Sequence, residues 1–215
     1  EVHAGHGLTY ENVGAVAACL LAMGSKEVAV SIPLVILLYD RAFLAGSFGE
    51  AWRRRRGLYL GLVGAWLVLG LHLAVSGGRG DWAGFQLPVS PMEHARSQFG
   101  VILHYLGLSF WPDPLVFDYN WPVANTLDDI LPGAVVVLGL LAATTYALVR
   151  WPKWGLLGAW FFLILAPTSS IMPIADLAFE HRMYLSLAAV AAAVVVGAHA
   201  AWTRLPKQSR TAAPA

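Results

Sequence analysis

"AWRRRRGLYLGLVGAWLVLGLHLAVS", residues 51–76, decides the fold. Four consecutive arginines run directly into twenty residues, Gly57 to Ser76, that carry no Asp, Glu, Lys or Arg. A helix crossing a bilayer needs about 20 mostly apolar residues, and basic residues collect at its cytoplasmic end. The stretch therefore reads as a membrane span with its start inside. Three further runs approach span length: Val28 to Phe43, Leu131 to Val149 and Met183 to Trp202. Two shorter ones, Asn12 to Gly24 and Trp154 to Pro167, complete an expected set of six. The run Phe99 to Trp111 is interrupted by His104 and ends at Pro112-Asp113-Pro114, a helix stop.

Composition agrees with this reading. Of 215 residues, 58% are hydrophobic and 13% charged, where soluble domains carry about a quarter charged residues. Mean hydropathy is +0.61. The formal net charge of +1 gives no general attraction to nucleic acid. Cys19 is the single cysteine, so no internal disulfide can form. The chain opens at Glu1 with neither Met nor a basic leader, and is read as a piece of a longer protein.

The basic clusters set an orientation. "AWRRRRG" (51–57), "RWPK" (150–153) and "TRLPKQSR" (203–210) can all lie inside only if Phe99 to Trp111 does not cross. That run is then an interfacial or re-entrant helix within a long outer segment, Gly77 to Ile130. The expected fold is all-α: a polytopic helical membrane bundle of about six spans over residues 1–205, with a cytoplasmic tail or linker at 206–215. The same parity puts Lys26, Glu27 and the whole of Asp176 to Arg182 outside.

Those outer residues are the candidates for chemistry. In "MGSKEVAV" (23–30), Lys26 and Glu27 sit between two apolar helices, either as a plain polar hairpin or as a cation placed for an anionic group such as a lipid-linked phosphate. In "PTSSIMPIADLAFEHRMY" (167–184), two prolines break the helix ahead of Glu180, His181, Arg182 and Tyr184. Helical phasing would put Glu180 and Tyr184 on one face and Arg182 on another. The alternative is an ordinary interfacial belt, with Arg182 snorkelling and Tyr184 at headgroup depth. In "LSFWPDPLVFDYNWP" (108–122), Trp111, Tyr119 and Trp121 suit interfacial anchoring and also stacking on sugar rings. Asp40 and Arg41 read as a cytoplasmic stop. His72, His104 and His199 receive no role, and no metal-ligand spacing or phosphate-binding glycine loop is present.

"GSKEVAVSIPLVILLYDRAF", "LSFWPDPLVFDY" and "GAWFFLILAPTSSIMPIADLAFEHRMYLSL" resemble bacterial relatives of the transmembrane and tetratricopeptide-repeat O-mannosyltransferases, membrane glycosyltransferases of the GT-C class. The resemblance runs from about Val13 to Trp202. It implies transfer of a sugar, mannose in that family, from a lipid-phosphate-linked donor to protein on the extracytoplasmic face of a bacterial inner membrane, without cofactor or metal. By motif, Lys26 and Arg182 would contact the donor phosphate, with Glu27, Glu180, His181 and Tyr184 orienting them or the acceptor. Ser186 stands where the family pattern usually has Pro after "HRMYL". The acidic base expected in a first outer loop would lie upstream of Glu1, and the repeats that follow such domains are not in residues 1–215. A transporter or flippase for a lipid-linked or small anionic substrate would favour charges at mid-membrane and an inverted repeat, whereas the charge clusters here fall at the outer interface and no repeat is visible. A non-catalytic membrane anchor for a repeat protein would make Lys26 and Arg182 dispensable.

Overall fold

The computed structural model describes residues 10–76, 84 and 87–204, and among these the chain is helical with no strand. Seven α-helices follow in order: α1 (Tyr10–Ser25), α2 (Ile32–Tyr39), α3 (Phe48–Ser76), α4 (Pro91–Phe110), α5 (Leu127–Arg150), α6 (Pro152–Leu165) and α7 (Tyr184–Arg204). A 3₁₀ turn, Glu27–Ser31, leads into α2, and a π-helical turn, Asp40–Ala45, extends it. Together they form one apolar rod, Glu27–Ala45.

Four helices are long and apolar enough to cross a membrane: Glu27–Ala45, Phe48–Val75, Leu127–Arg150 and Tyr184–Arg204. Their outward faces carry exposed Leu67, Val75, Val135, Val149 and Val195, the surface that lipid rather than water would cover. The expected count of six is not reached by length. α1 has 16 residues and α6 has 14, about 24 and 21 Å of helix against a hydrocarbon core of about 30 Å. α6 stops early because Pro167 and the Thr168–Ser170 run end its ladder. Thr168 and Ser169 turn their N–H groups back to the Leu165 carbonyl, at 3.1 and 2.8 Å.

α4 is longer than its apolar run. It starts at Pro91 behind a capping box, in which Ser90 accepts from the Glu93 N–H and Glu93 accepts from the Ser90 N–H. Its first half is polar, so a hydropathy reading begins only at Phe99. The helix is not among the candidate spans.

Two apolar centres hold the bundle. One joins α1, α2 and α3 through Cys19, Met23, Tyr59 and Leu62, and the other joins α4 to α7 through Tyr105, Val137, Phe161 and Leu165. α2 links them by running antiparallel to α6. Ser31, at its start, donates to the Leu163 carbonyl, and Arg41, at its end, donates to Leu148 at 2.8 Å. Small residues allow the tightest approaches. A Cβ on Gly133 would fall 2.5 Å from the Phe99 carbonyl of α4, and one on Gly155 2.3 Å from the Leu148 nitrogen.

Asp40 is more than a stop signal. It is 2% exposed, takes Arg55 Nη1 at 2.5 Å and accepts from the Tyr59 hydroxyl at 2.5 Å. Arg55 leaves helical geometry (φ −131°, ψ 32°), kinking α3 where its guanidinium meets Asp40. A buried carboxylate is tolerated when paired and hydrogen-bonded in this way. The arginine run thus fastens α3 to the end of the α2 rod, with Glu50 taking Arg53 and Arg54 at 2.5 and 2.6 Å.

Candidate functional site

The site grows from the irregular stretch between α6 and α7, residues 166–183. Backbone without a helix has unsatisfied polar groups, and near a bilayer these must be met by protein. α4 meets them along one face. His94 Nδ1 lies 3.1 Å from the Ser170 carbonyl, Gln98 donates to Leu177 at 3.2 Å, and Tyr105 both donates to the Phe179 carbonyl and accepts from its N–H, each at 2.7 Å. Steps of four and seven residues place these three side chains one above another on α4. Burial lowers the His94 pKa, with the Arg182 charge adding to it and the Ser170 bond opposing it. Burial raises that of Tyr105.

Glu180 anchors the segment that carries Val116 and Tyr119. Its Oε1 accepts from the Val116 N–H at 2.7 Å and from the Tyr119 hydroxyl at 2.6 Å. Burial and then this bond push the Tyr119 pKa up to about 12. Tyr119 packs edge-on against His104 at 4.8 Å, and Trp121 lies 5.1 Å from the same ring. His104 therefore seats the 111–121 segment on α4, and burial keeps its pKa low. Trp111 stays 74% exposed and suits the anchoring role.

Arg182 is buried, 4% exposed. Its guanidinium turns into its own loop, with Nη1 on the Leu177 carbonyl at 3.2 Å and Nη2 on the Asp176 carbonyl at 2.7 Å, and it lies 5.5 Å from the Phe179 ring. Burial lowers its pKa, with the Asp176 and Glu27 charges acting the other way. The Lys26 ammonium lies over the Tyr184 ring, 5.0 Å from its centroid. His181, exposed on the same turn, has its pKa lowered by partial burial and by the cations Lys26 and Arg182, while Glu27 opposes them.

Five of the six residues singled out by sequence thus share one end of the bundle: Lys26, Glu27, His181, Arg182 and Tyr184. Glu180 does not belong to their face. The expected helical phasing with Tyr184 fails because Glu180–Arg182 is a 3₁₀ turn and α7 begins only at Tyr184. Glu180 turns to Tyr119 while Tyr184 turns to Lys26. The α4 ladder was not found from the sequence because hydropathy marks the helix only from Phe99; the 94, 98, 105 spacing was its signal. Beside the Arg182 loop, Asp118, Asn120, Trp121 and Asp176 line a recess of about 150 Å³. No group of three or more His, Cys, Asp or Glu suited to a metal occurs among the described residues.

The arrangement can hold an anion. A ring under an ammonium fixes its position without cancelling its charge, as a carboxylate would. The buried Arg182 adds a second fixed charge and holds the loop. In comparisons with known protein families, curated proteins and solved structures, nothing matches this chain.

Proposed function

We propose that this chain is the membrane part of a glycosyltransferase that moves a sugar, mannose by the resemblance, from a lipid-phosphate-linked donor to protein on the extracytoplasmic side of a bacterial inner membrane. One observation carries the proposal: Lys26 and the 181–184 turn, remote in sequence, converge, with the Lys26 ammonium seated over the Tyr184 ring and its charge felt at His181. Breaking the bond between sugar and phosphate builds negative charge on the leaving phosphate, and a preorganised cation stabilises it. Lys26 is the contact to that phosphate. Arg182 adds field from behind and positions the loop, because its donors in this conformation go to main-chain carbonyls. Tyr184 orients Lys26, Glu27 and His181 flank it, and Glu180 fastens the segment carrying Val116 and Tyr119 to the same turn. No described residue is assigned as the base for the acceptor hydroxyl.

The proposed topology has six crossings, made by the four long apolar helices together with α1 and α6, with α4 lying along the outer face. The test is sugar transfer by the full-length protein in lipid, given a lipid-phosphate-linked sugar and a protein acceptor. Wild type should transfer, while Lys26→Ala and Arg182→Ala at equal expression should not. Transfer untouched by both changes would remove the site, and no transfer from any such donor would remove the function.

A further inference from the structure

The opposite end of the bundle holds a second group of cations. Arg41 and Leu148 are joined by the 2.8 Å bond from Nη1, and Lys153 Nζ lies 5.6 Å from the Phe43 ring. The end of the α2 rod is thereby locked to the α5–α6 turn, with Arg150 between the two contacts in sequence. Two cations, Arg41 and Lys153, make contacts at this junction, and the exposed Arg150 ends α5 two residues beyond Leu148. The carboxylates nearest in sequence are engaged elsewhere: Asp40 by Arg55 and Tyr59, Glu50 by Arg53 and Arg54. From Leu131 to Leu165 the α5–α6 hairpin contains no acidic residue.

The surroundings are those of a lipid. Tyr39 and Phe43 stack at 5.0 Å and are each 48% exposed, and Trp154 is 45% exposed. Aromatic side chains at a span end mark headgroup depth, and exposed rings below a cationic rim suit an acyl chain. A soluble phosphate would use the cations and leave the rings uncovered.

We propose that this junction is a binding site for an anionic glycerophospholipid of the inner leaflet. Arg41, Arg150 and Lys153 hold its phosphate, and the Tyr39–Phe43 pair with Trp154 receives an acyl chain. The ligand differs from the sugar donor, and the site lies at the other end of the molecule.

The full-length protein, in detergent micelles doped with phosphatidylglycerol or phosphatidylcholine, can be assayed for retained lipid by native mass spectrometry. Phosphatidylglycerol should be retained over phosphatidylcholine. The double variant Arg150→Gln, Lys153→Gln should lose retention about thirty-fold, since each basic residue near an anionic surface contributes roughly a five-fold factor. Lys153→Gln alone should lose about five-fold, which protects the test if the double variant folds poorly. Arg204→Gln, at the end of α7, should leave retention unchanged. Equal retention of the two lipids, unaltered retention in both junction variants, or an equal loss in Arg204→Gln would overturn the site. So would inorganic phosphate displacing the lipid at concentrations comparable with the lipid's own, which would mark a free-anion site.

Discussion

The Lys26 ammonium sits 5.0 Å from the centroid of the Tyr184 ring, joining the start of the α2 rod to the start of α7. An ammonium over a ring face is stabilised by about 0.5–1 kcal/mol at an exposed site. Tyr184→Phe retains the ring and should leave donor use within two-fold of wild type. Tyr184→Leu removes the face and should reduce kcat/KM for the donor by roughly two- to five-fold, the kinetic equivalent of that energy. Steady-state kinetics on both variants checks the difference.

Tyr105 supports the irregular stretch from beneath. It is fully buried, and its hydroxyl serves both main-chain groups of Phe179. Tyr105→Phe keeps the ring but strands a buried N–H and C=O. The expected cost is about 1–3 kcal/mol per unsatisfied group. It should appear as a lower Tm and faster proteolysis between Pro167 and Met183.

Acid should loosen the same region. The folded-state pKa of His94 lies below its ordinary 6.5 because burial disfavours the charged ring. As pH falls, the unfolded chain binds the proton first, so stability is complete above about 6.5 and declines from there toward the folded-state value. His104 and His181, shifted the same way, add to the decline. Thermal melts between pH 8 and about 5 should show the fall, and His94→Gln should make it shallower.

At the other end, Asp40 and Arg55 are expected to act as a unit. Removing one partner of a buried pair leaves an uncompensated charge and costs about 3–5 kcal/mol. Arg55→Met should therefore destabilise more than the double change Asp40→Asn, Arg55→Met. Denaturation of the four members of that cycle in one detergent measures the coupling.

Much of the architecture was legible because membrane spans declare themselves by length. Gly57 to Ser76 and Leu131 to Val149 lie inside observed helices. The run Phe99 to Trp111 marked only the apolar half of α4, whose start depends on the Ser90–Glu93 cap rather than on hydropathy. The site was legible in part. Charge placement alone put Lys26 and Arg182 on one side, but their partners depend on local backbone. Nothing in "EHRMY" announces that Glu180–Arg182 winds as a 3₁₀ turn, which separates Glu180 from Tyr184 and encloses Arg182. The pairing of Asp40 was not legible for a related reason, because its partner Arg55 becomes visible only once α3 kinks.

The most direct measurement concerns Lys26. Donor kinetics should be compared for wild type, Lys26→Gln and Lys26→Arg, with the reconstituted full-length protein and a lipid-phosphate-linked mannose. Loss of a charged contact to a phosphate in the transition state is worth about 10²-fold in rate. Lys26→Gln should fall by about that factor in kcat/KM, with Lys26→Arg recovering part of it. Equal kcat/KM for Lys26→Gln and wild type would contradict the assignment of this end of the bundle to the donor phosphate.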